Sequence, residues 1–282
     1  CHPSTHLEVI VEIEKWIEDS GSCPILWLNG PAGSGKSAIS QTIAECCADK
    51  KKIASFFFLC GTGEHSKFQC LIPTLAHQVS MFNLAIESIF LDTMSKEPDL
   101  HHKKALSYQL GKLLIKPITA TGLELSKIII IIDALDECDD KEWISQLIKA
   151  LSIICITHNV QLPFKLFLTN CVEQHIQEQF NWLIKQSVVK YLSLQNFDAT
   201  NDIQVYLKSE LSSLYERKFI IMQDIPGPWP STKHLRKLSD NAAGSFIITS
   251  TLVKFIEEKG HPDDNLKKAL YMKDGLDPVY HQ

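Results

Sequence analysis

Two stretches of the sequence carry residue types whose spacing suits chemistry on phosphates. Residues 30–37 read GPAGSGKS, with glycines at 30, 33 and 35 followed by Lys36 and Ser37. Glycines let a backbone wrap closely around an anion, so that successive N–H groups point inward. A helix starting there adds its positive end. In such a loop Gly30, Pro31, Ala32, Gly33, Ser34, Gly35, Lys36, Ser37 and Ala38 surround the phosphates. Lys36 reaches the β- and γ-phosphates, and the Ser37 hydroxyl ligates Mg²⁺. The second stretch is five isoleucines, 128–132, ending in Asp133 and followed by Ala134, Leu135, Asp136 and Glu137. A carboxylate at the carboxyl end of a buried strand falls in the crevice where such a loop also lies. Asp133 is expected to hold Mg²⁺ through water. Asp136 and Glu137 are placed to complete the metal shell and polarise an attacking water. Lys36, Asp136 and Glu137 are therefore the catalytic candidates, and Ser37 and Asp133 the metal ligands.

These groups need a scaffold, and the pattern supplies one. Residues 7–19 place Leu7, Ile10, Val11, Ile13 and Ile17 near helical spacing. A short apolar run at 25–28 reads as a buried strand before the glycine loop, and a helix follows to about residue 48. Residues 51–59, 127–133, 164–169 and 188–194 read as four further strands. Helical stretches at about 68–119, broken near Glu97 and Pro98, and at 142–156 lie between them. Apolar strands alternating with helices indicate a parallel sheet covered on both faces. One strand, 51–59, comes between the glycine loop and the Asp133 strand, which in P-loop proteins marks the hydrolysing branch rather than the nucleoside kinases. After residue 196 only helices are expected, at 198–215, 231–239 and 245–259, with a stiff turn at Pro226, Gly227, Pro228 and Pro230.

Composition narrows the classes. The chain has 282 residues, 45% hydrophobic and 22% charged, enough for a large core and against general disorder. The longest purely aliphatic run is far short of the roughly 20 residues a spanning helix needs. No secretory leader is expected, because Glu8, Glu12, Glu14 and Lys15 interrupt the first apolar stretch. A net charge of −5 argues against a nucleic-acid partner. The 9 cysteines have irregular spacing and no CxxC pair, which suits reduced thiols in the cytoplasm and no zinc site. His101-His102 reads as a solvated turn, and Cys138 as a buried thiol rather than a nucleophile.

The chain resembles the NACHT domain of fungal signalling NTPases of the STAND type, related to nephrocystin-like NACHT modules. PILWLNGPAGSGKS at 24–37, SFFF at 55–58, PTLAHQ at 73–78 and IIDALDECDD at 131–140 carry the likeness. The lead-in from Cys1 to Trp16 is similar to the family's C-x-P-G-T-R segment and its helix ending in tryptophan. NFDATNDIQVYL at 196–207, Trp229-Pro230 and AAGSFIITSTLVKFI at 242–256 resemble the family's small helical domain. The resemblance implies a five-stranded P-loop core that binds ATP/ADP, or GTP, with Mg²⁺. It also implies a switch between an ADP-bound resting state and an ATP-bound oligomer formed through this domain, and it makes Gly244 and Phe246 base-side candidates.

Departures from the family carry their own expectations. The family ends its fourth strand with T-S-R-P-E. Here Thr169 and Glu173 remain, but the arginine that senses the γ-phosphate falls on Cys171. A thiol cannot donate bidentate, charge-assisted hydrogen bonds. Only Arg217 and Arg236 exist, both beyond residue 196, so the core cannot supply an arginine finger. Residues 275–282 resemble the start of a winged-helix segment, and neither effector nor sensor domains are recognisable, which suggests a fragment or reduced paralogue.

The expected fold is thus α/β: a P-loop NTPase with a five-stranded parallel sheet, followed by a small all-helical domain. The expected segments are a lead-in helix at 1–23, a nucleotide-binding domain at 24–196, a helical domain at 197–274 and the winged-helix start at 275–282. The expected activity is a slow NTPase acting as a signalling switch. The alternative is a non-hydrolysing scaffold whose nucleotide stabilises an interaction surface.

Overall fold

Five short apolar segments build one parallel sheet: β1 (Ile25–Asn29), β2 (Ile53–Phe58), β3 (Ile128–Asp133), β4 (Lys165–Asn170) and β5 (Val189–Ser193), in the order β2-β3-β4-β1-β5. The computed structural model describes residues 1–58, 70–100, 105–123, 127–138, 140–157, 162–258 and 260–271. His101, His102, Cys60, Asp139 and the stretch 275–282 lie outside the described residues. Strands β1, β3 and β4 are buried along their whole length, so they read as unbroken apolar runs rather than alternating ones.

Sheet order departs from chain order at one informative place. Strand 51–59 comes between the glycine loop and Asp133 in sequence, yet β2 takes the outer edge of the sheet. The strand that fills the gap between β1 and β3 is β4. Each helical crossover of a parallel sheet can skip a lateral position, so chain order alone cannot fix neighbours. The register then aligns Leu28 with Thr169 and Asn29 with Asn170, and Ile132 with Leu168. The polar carboxyl ends of the three strands therefore fall side by side.

The chain divides into two compact units. The larger comprises Ile10–Gly30 and Lys36–Leu194. Besides the sheet it holds α2 (Lys36–Asp49), α3 (Leu71–Ser80), α4 (Leu84–Lys96), α5 (Leu106–Leu110), a π-helical turn (Gly111–Ile115), α6 (Lys116–Ala120), α7 (Lys141–Thr157) and α8 (Gln174–Lys185). The α8 helix was not anticipated from sequence. Helix α1 (Leu7–Glu18) runs across the division at residue 9. Its buried residues include Ile13, Trp16 and Ile17, whereas Leu7 and Val11 are exposed. The stripe that includes Trp16 wins because the tryptophan brings the largest apolar area. Lys165 is fully buried at the amino end of β4. It donates to the Asp19 carbonyl at 2.8 Å and to Ser22 Oγ at 2.6 Å, and lies 5.1 Å over the Trp16 ring. Its charge is spent on closing that turn, at the end of β4 opposite Cys171.

The smaller unit comprises Cys1–Val9, Pro31–Gly35 and Gln195–Gln282. Its helices are α9 (Thr200–Arg217), α10 (Phe219–Met222), α11 (Thr232–Ala242), α12 (Phe246–Glu257) and α13 (Pro262–Tyr271), the last absent from the sequence reading. Ile203, Leu207, Leu211 and Leu214, spaced one turn apart on α9, form a fully buried seam with Leu238, Ile256 and Leu266. Trp229 joins this core through its ring and donates from Nε1 to Asp263 Oδ1 at 3.0 Å. Ser231 and Ser245 cap α11 and α12 by accepting from His234 N and Ile248 N.

Candidate functional site

Asp133 ends β3 fully buried, and two hydroxyls orient it. Ser40 Oγ donates to Asp133 Oδ1 at 3.0 Å, and Thr169 Oγ1 donates to the same oxygen. Asp133 Oδ2 is buried with no protein partner. A carboxylate with one oxygen bonded and the other unpartnered keeps lone pairs that a water or a hard cation can use. Thr169 also accepts from the Ala134 backbone N–H at 3.1 Å. That bond pins Ala134 in a left-handed conformation, φ 60° and ψ 50°, at the sharp turn after the strand. Such strain is retained where neighbouring groups fix it.

The sequence reading missed Ser40 and Thr169 as site residues. A signal existed for Ser40: it follows Lys36 by four residues, hence on the same face of α2. Nothing local marks Thr169, whose role follows from β4 lying beside β3. Thr169→Val, near-isosteric but without the hydroxyl, leaves the Ala134 N–H unpaired. It should lower unfolding free energy by about 1–3 kcal/mol, whereas Thr169→Ser should restore most of it. Urea unfolding midpoints of the three proteins check this.

Lys36 opens α2 as a buried side chain. Its Nζ donates to the Gly30 carbonyl at 2.9 Å and to Cys171 Sγ at 3.2 Å. Ser37 and Ala38 follow on the exposed side of the first turn. The Cys171 backbone N–H donates to Asp136 Oδ1 at 2.7 Å. Burial pushes the Cys171 thiol up, the bond with Asp136 acts the same way, and Lys36 opposes both. The thiol is therefore neutral at physiological pH, as expected of a group that cannot replace an arginine. Asp136 is half-buried and engaged with this backbone, whereas Glu137 lies exposed at the end of the 3₁₀ turn Leu135–Glu137. The larger unit thus brings together Lys36, Asp133, Asp136 and Cys171, with Ser40 and Thr169 as supports.

The loop residues between Gly30 and Lys36 belong to the smaller unit. Pro31 and Ala32 are exposed, and Gly33, Ser34 and Gly35 are half-buried. Gly33 and Gly35 have φ of +75° and +92°, conformations that side chains rarely adopt. A Cβ on Gly33 would fall 2.9 Å from Ser245 Oγ and 3.0 Å from Ile247 Cβ. The Phe246 N–H donates to the Gly33 carbonyl at 2.8 Å. Phe246 is half-buried with its ring centroid 4.8 Å from that of His6, and Gly244 is exposed at φ +81°.

The strand order, the glycine loop at the end of β1 and the aspartate at the end of β3 define a P-loop NTPase-like fold. The family model described as Nephrocystin 3, N-terminal, matches residues 10–170, more than half of the chain. The chain belongs to this family. Among curated proteins none matches it. Among solved structures it is similar to a chain of "Structure of Drosophila ORC bound to DNA", with a TM-score of 0.55 and 14% identity over 95% of this chain and 68% of that one. At that identity the likeness concerns the fold alone. Among the described residues no helix is long and apolar enough to cross a membrane, and no group of three or more His, Cys, Asp or Glu is arranged to hold a metal ion.

Proposed function

We propose that the protein is a nucleotide-binding switch of the nephrocystin-like NACHT type that binds Mg·ATP, or GTP, and hydrolyses it slowly. The observation that carries this reading is Asp133: buried, fixed through Oδ1, and unpartnered at Oδ2. Its oxygen donor and the Ser37 hydroxyl suit Mg²⁺, which prefers few protein ligands and takes the rest from phosphates and water. When bound, that ion neutralises charge building on the phosphate oxygens. Residues 30–38 surround the phosphates and, Pro31 excepted, offer backbone N–H groups to them. Lys36 exchanges its bonds to Gly30 and Cys171 for phosphate oxygens. Glu137, exposed at the end of the turn, takes the proton of the attacking water, and Asp136 holds the turn through Cys171. Gly244 and Phe246 lie on the base side in this reading. Self-association in the ATP-bound state and a cytoplasmic setting belong to the same proposal, and the net charge of −5 favours partners other than nucleic acid.

Cys171 supports a second reading, a scaffold that binds nucleotide without turning it over. A neutral thiol stands where the family resemblance places the phosphate-sensing arginine. Arginine fingers contribute about 10³–10⁵ in rate where they occur. Single-turnover hydrolysis of radiolabelled ATP separates the two. The switch reading expects slow phosphate release, below about 1 s⁻¹, that disappears in Glu137→Gln while ATP stays bound. Bound ATP with no product over hours, unaffected by Glu137→Gln, would favour the scaffold.

A further inference from the structure

His6 is a polar side chain with no role in that reading, and its placement gives it one. The residue is 8% exposed, and its Nε2 is buried with no protein partner. That nitrogen is aimed at the glycine loop: a Cβ on Gly35 would fall 2.5 Å from it. The ring is held on its other sides. Its backbone N–H donates to Asp202 Oδ2 at 2.7 Å, the same oxygen lies 3.8 Å from Nδ1, and Phe246 packs on the ring. All of these residues belong to the smaller unit.

The charged groups facing the ring are few. Asp202 comes from α9. Residues Pro31–Gly35 and Ser245, Phe246 and Ile247 of α12 bring no charge. His2 is spent elsewhere, 3.9 Å from Glu210. Burial lowers the basicity of His6 and outweighs Asp202, which raises it. The ring of the ligand-free protein is therefore neutral near pH 7. An anion placed on this loop shifts that balance, because an opposite charge within a few ångströms favours the imidazolium.

We infer that His6 couples phosphate binding on the loop to the uptake of one proton from solvent, with Nε2–H facing the bound anion and Nδ1–H facing Asp202. The inference rests on the reading of the loop as a phosphate site and adds a regulation to it. By linkage, a ligand that makes His6 more basic binds more tightly as pH falls, by about tenfold per pH unit at most for one coupled proton.

Calorimetric titration with Mg·ADP between pH 6 and 8, in buffers of different ionisation enthalpy, tests it. The wild type should take up more protons than His6→Gln, whose amide donates near the Nε2 position without titrating. Its affinity should rise more steeply on acidification than the variant's, which carries only the nucleotide's own titration. Equal proton uptake and equal slopes would overturn the coupling while leaving nucleotide binding intact. Absence of binding by the wild type at every pH, as in Lys36→Ala, would overturn the loop reading itself and the coupling with it. If His6→Gln does not fold, histidine Cε1–H resonances of the wild type decide. One titration midpoint should move up by about half a pH unit or more on adding Mg·ADP, and no such movement would overturn the inference.

Discussion

Lys36→Ala is expected to weaken binding of Mg·ATP by roughly 10²-fold or more. A charge-assisted hydrogen bond contributes about 1.5–3 kcal/mol, and a lysine bridging two phosphates makes more than one. Each 1.4 kcal/mol is about tenfold in affinity. The expected cost to folding is much smaller. Lys36 leaves behind the Gly30 carbonyl and the Cys171 thiol, and the thiol asks little of a partner. Fluorescent-nucleotide titration should therefore show a large loss of affinity while the urea midpoint moves little. Unchanged affinity would remove Lys36 from the phosphate site. A large fall in the midpoint would mean that its bonds in the ligand-free fold are its main role.

Gly35→Ala should be the most damaging change in the loop, and it acts twice. The backbone at φ +92° is strained for any side chain, at a cost of about 1–3 kcal/mol. The new methyl would also sit 2.5 Å from His6 Nε2, a ring pressed from behind by Phe246 and tied by its backbone to Asp202. His6 cannot simply swing away, so the loop must deform. We expect a loss of several kcal/mol in unfolding free energy together with loss of nucleotide binding. Adding His6→Ala to Gly35→Ala should relieve the clash but not the backbone strain, recovering roughly half of the lost stability. Full recovery would mean that the backbone carries no penalty. No recovery would mean that the ring is not what the methyl meets. Denaturant unfolding of the single and double variants distinguishes these outcomes.

Much of the site is local in sequence, and that part was legible. GPAGSGKS is contiguous, and its glycines state their own backbone requirement. Asp133 announces itself as the first charge after five isoleucines, because a run so apolar has to be buried and its end has to face the crevice. The neutral Cys171 was legible as a departure from the family's pattern, although its contact with Lys36 was not. Helices α8 and α13 escaped the reading because segments such as QHIQEQFNWLIK, although clearly amphipathic, are polar on average and offer only a few apolar positions.

What the sequence determined alone is the chemistry on offer: a glycine-rich loop followed by Lys36 and Ser37, a buried strand ending in Asp133, and a core without arginine. What only the tertiary structure decided is which groups tune that chemistry. Thr169 reaches Asp133 because β4, and not β2, fills the place between β3 and β1 at the centre of the sheet. Lys165, on the same strand as Thr169, is committed to the turn at residues 19–23 instead. His6 meets Gly35 across 29 positions of chain for want of any local pattern that could have joined them. Backbone requirements and strand burial are written in neighbouring residues. Lateral strand order and the closing of one segment on another depend on long-range packing, to which each residue contributes only a share.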